Sequence, residues 1–211
     1  MFIPIGDETP RERTPYVNYF LLGANVLAFL AFCFPTPTKP FLDIYAMKPA
    51  QLDPKTLVTS MFLHAGIMHL LGNMVFLWIF GDNVEDRMGH SAYAGFYLAG
   101  AVFAGFAQAL AAPASTVPMV GASGAIAAVM GAYFVLFPRA RIVSLVIWGF
   151  WVDIIAIPAV TYLAIWFGMQ LLSGTFALAA AASGGVAWWA HAGGFAFGAV
   201  VALGVRAGKR A

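Results

Sequence analysis

Charged residues are scarce in this sequence of 211 residues. Asp, Glu, Lys and Arg make up only 9% of it, whereas a soluble domain carries roughly a quarter. Hydrophobic residues account for 62%, and the mean hydropathy is +0.84. The net charge is only +2, and no basic stripe is present, so nucleic acid is not an expected partner. We therefore expect an integral membrane protein whose immediate surroundings are the lipid bilayer.

Cysteine is almost absent as well. The single Cys33 lies inside an apolar run, which excludes a disulfide framework and a zinc knuckle. The first residues, MFIPIGDETPRERTP, are polar and rich in proline and have no small-residue cleavage site, so we expect no cleaved signal peptide. No metal or other cofactor is expected.

Long apolar runs dominate what is present. Six of them are long enough to cross about 30 Å of hydrocarbon. They predict a single all-α polytopic membrane domain over residues 1–211, with both termini on one side. The expected spans are about 16–34, 62–81, 92–112, 120–137, 157–173 and 188–206.

Two segments between the spans are unusual. The first outer loop, 35–61, is long and rich in proline, so we expect it to lie partly in the membrane interface. The stretch 141–158 is apolar and aromatic but is interrupted by an aspartate and a proline. We interpret it as an interfacial segment that places Trp148 and Trp151 at headgroup depth. A seventh span is the alternative.

The placement of lysine and arginine predicts the orientation. With the N-terminus inside, eight basic residues fall on the cytoplasmic side and three fall outside. This bias agrees with the rule that cytoplasmic loops are enriched in Lys and Arg. Both termini are therefore expected in the cytoplasm, and a bacterial plasma membrane is the expected location.

Polar residues inside the spans converge at one depth. The second span begins with His64, His69 and Asn73, the fourth begins near Ser123, and the sixth begins near His191. In the predicted topology all three spans enter from the outer face, so these residues lie within the first turns from it. Polar side chains inside a membrane are costly and usually functional. We take these five as the candidate site.

Glycines favour close packing between the fourth and sixth spans. Small residues four apart allow helix backbones to approach. The candidate packing positions are Gly121 and Gly124 before and within the fourth span, and Gly194 and Gly198 in the sixth. Such an approach would bring His191 within hydrogen-bonding distance of Ser123, where the imidazole can activate the hydroxyl as a nucleophile.

The other polar residues supply what acyl transfer further needs. The backbone N–H of Ser123 at a helix start, together with His69 and Asn73, could donate to an oxyanion. None of the nine acidic residues falls at the depth of His191 inside a span. The inventory therefore predicts a Ser–His dyad rather than a triad.

Four alternatives stay open at this stage. A hydrolase could bind zinc through His64, His69 and His191, although His64 and His69 are five residues apart and point about 140° apart around a helix. An aspartyl protease would need a partner for Asp82 inside the membrane. A non-catalytic relative that binds clients and a small-molecule transporter with a polar midplane site are the other two.

Three motifs in order carry a resemblance. HAGIMHLLGN, GASG and AHAGGFAFG lie on the second, fourth and sixth spans, and VEDRMG follows the second. Together they resemble the signature of rhomboid intramembrane serine proteases over nearly the whole chain. We interpret Glu85 and Arg87 of VEDRMG as a salt bridge at a cytoplasmic turn.

The resemblance implies a six-helix rhomboid-like bundle and an endopeptidase without metal or ATP. Ser123 would be the nucleophile and His191 the base, with His69 and Asn73 at the oxyanion and His64 supporting them or lining a water-accessible cavity. Substrates would be single-pass membrane proteins, cut at or near the outer boundary. Residues 174–187 would form a cap loop, and the fifth span would be a lateral gate.

Two positions depart from the family pattern. Ala127 stands where many members carry a tyrosine that stacks on the catalytic histidine, and the first loop lacks a Trp-Arg pair. Neither departure removes a reacting group.

Overall fold

Helices dominate the fold, as the apolar runs predict. The computed structural model describes residues 2–180 and 185–208. Five of its helices are long and apolar enough to cross a membrane, which confirms the prediction of a polytopic helical bundle. These are α1, Tyr16–Ala28, which continues as a π-helical turn, Phe29–Cys33; α4, Ile67–Met88; α5, His90–Ala111; α7, Ala159–Ala179; and α8, Trp188–Gly208.

The sixth apolar helix, α6, is short. It runs over Ser123–Leu136, and its 14 residues cover only about 21 Å of the roughly 30 Å of hydrocarbon. Arg139 and Arg141 follow its C-terminal end and belong at a membrane surface. We therefore expect the N-terminal end, where Ser123 lies, to begin below the opposite surface.

The first outer loop contains structure of its own. Two short helices, α2 (Lys39–Tyr45) and α3 (Pro54–Thr59), lie in it, and a 3₁₀ turn, Ser60–Phe62, leads towards α4. As a result α4 starts at Ile67, later than the predicted span, and continues to Met88. The interfacial position of this loop stays a prediction.

A three-stranded antiparallel sheet was not predicted. Its strands, in the order β1-β2-β3, are β1 (Phe2–Asp7), β2 (Arg141–Trp148) and β3 (Trp151–Pro158). The segment 141–158 therefore forms two paired strands, and its interfacial position stays a prediction. Its β-branched residues favour strands, and Gly149, at φ +60°, opens a two-residue loop between the paired Trp148 and Trp151. Both tryptophans are exposed, and their headgroup depth stays a prediction.

The predicted cap loop also needs correction. Helix α7 continues to Ala179, so the first six residues of the expected loop 174–187 are helical. Residues 181–184 of that loop lie outside the described part of the chain.

Helix α6 forms the centre of the bundle. Its residues from Ala125 to Tyr133 are all buried, and its main partner is α8. Glycines allow this contact: a Cβ on Gly198 would collide with the carbonyl oxygen of Ala128, and one on Gly194 would collide with that of Gly124. Backbone therefore packs on backbone where the two helices cross, which fixes the relative positions of their side chains.

Polar groups at the C-terminal end of α4 hold the N-terminal segment. We give the name leader cluster to Glu85 and Asp86 of α4 together with Asp7, Asn18 and Tyr133, which belong to other elements. The carboxylate of Glu85 accepts from the backbone N–H groups of Val17 and Asn18 at 3.0 and 2.7 Å, and that of Asp86 accepts from those of Glu12 and Arg13. The predicted salt bridge between Glu85 and Arg87 was wrong, because Glu85 pairs with His90 and Arg87 lies over the ring of Phe137.

Candidate active site

Ser123 is the first residue of α6 and follows a sharp change in chain direction. Gly121 has φ +120°, a conformation that favours glycine, and its N–H donates to the carbonyl oxygen of Ser60 at 2.9 Å. The Ser123 side chain is half-buried. This turn places the hydroxyl at the N-terminal end of α6, where backbone N–H groups have no partner within the helix.

His191 lies one turn into α8 and faces Ser123. The close approach of α6 and α8 brings Nε2 of His191 to 2.7 Å from Oγ of Ser123. This is a normal distance for a strong hydrogen bond. The two residues proposed from the motif order are therefore in direct contact.

Gln170 of α7 contacts the other side of the imidazole, and sequence reasoning missed it. Its Oε1 lies 2.9 Å from Nδ1 of His191. A signal was present, because Gln170 is an amide near the end of an apolar span. That span runs in the opposite direction to the second, fourth and sixth, so its end reaches the same level as their beginnings.

Two tryptophan rings flank His191. The ring of Trp166, from α7, lies 5.9 Å from the imidazole at 35°, and that of Trp188 lies 6.4 Å away, edge on. Ala127, where many members of the resembled family carry a stacking tyrosine, is fully buried in α6. Contact with the histidine ring therefore comes from α7 and α8 instead.

The Nε2 edge of the His69 ring, from α4, lies against Gly121. The backbone N–H of Ala65 donates to Nδ1 of His69 at 3.3 Å, so the neutral ring carries its hydrogen on Nε2. A Cβ on Gly121 would lie 2.8 Å from that Nε2 and 3.7 Å from Oγ of Ser123. The missing side chain of Gly121 leaves room for the ring of His69 beside Ser123.

Asn73 and His64 lie on either side of His69. The side-chain N–H of Asn73 donates to the carbonyl oxygen of His69 at 2.7 Å. The ring of His64 is fully buried and packs edge on against His69, at 5.2 Å between centroids. Asn73 borders the cavity described below, whereas His64 stands behind His69 and does not line it.

A cavity of about 510 Å³ opens over these groups. This volume is typical of sites that bind a ligand or a chain segment. Its lining includes Ser123, His191, His69, Asn73 and Trp166. Most of the remaining wall is apolar.

A metal centre finds no support in the described residues. Over 2–180 and 185–208, no group of three or more His, Cys, Asp or Glu side chains is placed to hold a metal ion. The histidines are used differently: His69 accepts from Ala65, and His191 contacts Ser123 and Gln170.

Fold and site together define a polytopic membrane protein with a serine and a histidine paired at the start of a short central helix. The model of the Rhomboid domain family matches residues 52–208. The chain belongs to the rhomboid family, whose members are generally intramembrane serine proteases.

Several curated proteins are similar to the chain. Rhomboid protein 1, mitochondrial, of Saccharomyces cerevisiae is 34% identical over 147 residues, covering 65% of this chain and 42% of that protein. The human presenilin-associated rhomboid-like protein, mitochondrial, is 27% identical over 125 residues, covering 58% and 33%. Rhomboid protease GlpG of Yersinia pestis is 34% identical over 83 residues, covering 39% and 29%. The chain therefore spans less than half the length of these relatives.

Proposed function

We propose that the chain is an intramembrane serine endopeptidase in which Ser123 is the nucleophile and His191 the general base. The observation that carries the proposal is the 2.7 Å contact between Oγ of Ser123 and Nε2 of His191, beside a cavity large enough for a peptide segment. Membership of the rhomboid family supports the same chemistry.

The reaction proceeds by acyl transfer. Nε2 of His191 takes the proton of Ser123 Oγ as that oxygen attacks the carbonyl carbon of the substrate. The tetrahedral intermediate collapses when the imidazolium gives the proton to the leaving amine, which breaks the C–N bond and leaves an ester on Ser123. A water molecule, deprotonated by the same Nε2, then attacks the ester carbon. The bond from that carbon to Oγ of Ser123 breaks, Oγ takes the proton back from Nε2, and the acid is released.

Donors for the oxyanion come from two directions. The Ser123 backbone N–H lies at the start of α6, where the helix dipole favours negative charge, and Nε2–H of His69 lies against Gly121. The second amide hydrogen of Asn73 is a third candidate donor. Each such donor contributes about 3 kcal/mol of transition-state stabilisation.

The expected substrates are single-pass membrane proteins. The Ser123 end of α6 lies below the membrane surface that it faces, so a scissile bond must come from a segment in or near the bilayer. The bias of basic residues supports an outer position for this end, with both termini cytoplasmic, and we propose a bacterial plasma membrane as the location.

The function is tested with purified protein in proteoliposomes and a single-span model substrate. We expect wild type to cleave and to react with a fluorophosphonate probe, and Ser123→Ala and His191→Ala to lose cleavage by at least about a thousand-fold. Ser123→Ala should also lose labelling. Equal thermal midpoints of the three proteins would exclude misfolding as the cause.

A chelator arm separates metal chemistry from serine chemistry. We expect EDTA to leave the wild-type rate unchanged, since the reaction uses no metal. Retained cleavage in Ser123→Ala, or loss of cleavage with EDTA, would contradict the serine mechanism. A well-folded wild type that neither cleaves nor reacts with the probe would indicate a binding role.

Orientation is tested by labelling single cysteines in a Cys33→Ala background. Ser115→Cys, in the loop before α6, should react with a membrane-impermeant maleimide added to intact spheroplasts. Arg139→Cys, after α6, should react only after lysis. The reverse pattern would contradict the proposed topology.

A further inference from the structure

We infer that Gln170 is a positioning residue of the site, which holds His191 in the tautomer and orientation that a general base needs. The inference rests on the proposed function for its catalytic consequence. Its structural part, which is the state of the imidazole, can be tested without activity.

The hydrogen bond at Nδ1 determines which nitrogen of His191 is free. Oε1 of Gln170 can only accept, so at 2.9 Å it requires a hydrogen on Nδ1 of the neutral ring. Nε2 is then unprotonated and can accept from the Ser123 hydroxyl 2.7 Å away. The reverse tautomer would place a donor against the serine and could not take its proton.

The orientation of the Gln170 amide is itself supported. Its Nε2 lies 3.4 Å from the carbonyl oxygen of Trp166, one turn earlier on α7, and a carbonyl can only accept. The amide nitrogen is thus directed to Trp166 and the amide oxygen to His191. Turning the amide over would set its oxygen against the Trp166 carbonyl and lose that bond, and its nitrogen could face Nδ1 only in the reverse tautomer.

Burial strengthens the argument. Only four residues of α7 are buried, namely Ala159, Leu163, Gln170 and Gly174. Gln170 is 6% exposed, and an amide in a membrane helix is costly unless it is paired. A leucine would fill the same space without burying a polar group, so the hydrogen bond to His191 accounts for an amide at this position.

Gln170 stands where a serine-protease triad has its carboxylate, behind the histidine and opposite the serine. That third group acts by orienting the ring and fixing its tautomer. A neutral amide can do both, although it stabilises the imidazolium less than a carboxylate would. The proposed site then combines Ser123 of α6, Gln170 of α7 and His191 of α8.

The test compares Gln170→Leu with Gln170→Glu. Leucine has similar volume and no acceptor, whereas glutamate keeps an acceptor oxygen for Nδ1–H. We expect kcat of Gln170→Leu to fall about ten-fold to a hundred-fold, with KM nearly unchanged, because a buried N–H loses its partner. Gln170→Glu should stay within a few-fold of wild type. Gln51→Leu makes the same chemical change at an exposed position in the first outer loop and should leave the rate unchanged.

Nitrogen-15 NMR of protein labelled at histidine gives the second readout. The chain has four histidines, and the His191 signals are those missing from His191→Gln. In wild type and Gln170→Glu we expect the proton on Nδ1, and in Gln170→Leu a mixture of both tautomers.

The outcomes separate the two proposals. A Gln170→Leu protein with wild-type kcat, or with an unchanged His191 spectrum, overturns the role of Gln170. So does an equal loss of kcat and thermal midpoint in both Gln170 variants, since that would be a structural effect. If wild type proves inactive the proposed function fails, and the NMR comparison alone decides whether Gln170 sets the tautomer.

Discussion

Two groups of polar side chains lie at opposite ends of the bundle, and they differ in how fully they are paired. In the leader cluster, the Glu85 and Asp86 carboxylates accept four backbone N–H groups from the N-terminal segment. The site cluster, made of Ser123, His191, Gln170, His69 and Asn73, borders a cavity of about 510 Å³. The first group is closed by protein partners, and the second faces an open cavity.

This difference is the one we expect between polar groups that stabilise a fold and a proposed reactive site. Buried polar groups that are fully hydrogen-bonded hold a fold together, whereas a nucleophile and a base must keep one side free for a reacting molecule. In the sequence both clusters look alike, as costly polar residues at the ends of apolar runs. Their pairing in three dimensions is what distinguishes them.

The largest effect on stability should come from the leader cluster. Glu85 is fully buried, and Glu85→Ala leaves the N–H groups of Val17 and Asn18 without their acceptor. We expect a loss of about 3 kcal/mol in the free energy of unfolding, measured by denaturant titration in detergent micelles. As a control, Asp153→Ala removes an exposed carboxylate on β3 and should lower the free energy of unfolding by less than about 0.5 kcal/mol.

Cleavage activity tests more directly whether the two clusters act independently. At temperatures where Glu85→Ala remains folded, its kcat should match that of wild type. A folded variant with a much lower kcat would break the distinction, because the leader cluster would then influence the site.

A substitution at Asn73 should have a smaller effect, and it should change kcat rather than stability. Asn73→Ala removes one candidate oxyanion donor while the Ser123 N–H and His69 remain, so we expect kcat to fall about a hundred-fold. The thermal midpoint should change little, because only one side-chain bond within α4 is lost. Asn73→Asp is a matched control of equal size that adds a negative charge, and it should be slower still. Unchanged kcat in Asn73→Ala would remove this residue from the oxyanion site.

Periodicity and depth were sufficient to predict the helices and the Ser123–His191 pair, because membrane spans and polar residues inside them carry strong signals. The sheet was missed because β2 and β3 are both apolar on the two faces, so no alternation marks them. Gln170 was missed because a pairing between α7 and α8 depends on how helices rotate against each other. Such rotation is set by close contacts such as Gly174 of α7 against Trp188 of α8, which residue spacing alone does not fix.

The smallest effect concerns pH and the leader cluster. Burial raises the pKa of Asp7 above its ordinary value of 3.8, although its carboxylate accepts from Tyr133 and Asn83. The folded protein thus holds this proton more tightly than the unfolded chain. The associated stabilisation is fully present below about pH 3.8 and is lost as the pH rises through the raised pKa.

Asp7→Asn should abolish that loss, because an amide does not titrate and can still accept from Tyr133. We expect its stability relative to wild type to increase as the pH rises from about 4 to 7, by less than about 1 kcal/mol for a half-exposed group. Thermal midpoints in micelles across this range measure the difference. Equal cleavage rates at neutral pH would keep the two clusters independent, whereas a midpoint difference that does not vary with pH would mean that Asp7 titrates normally in the fold.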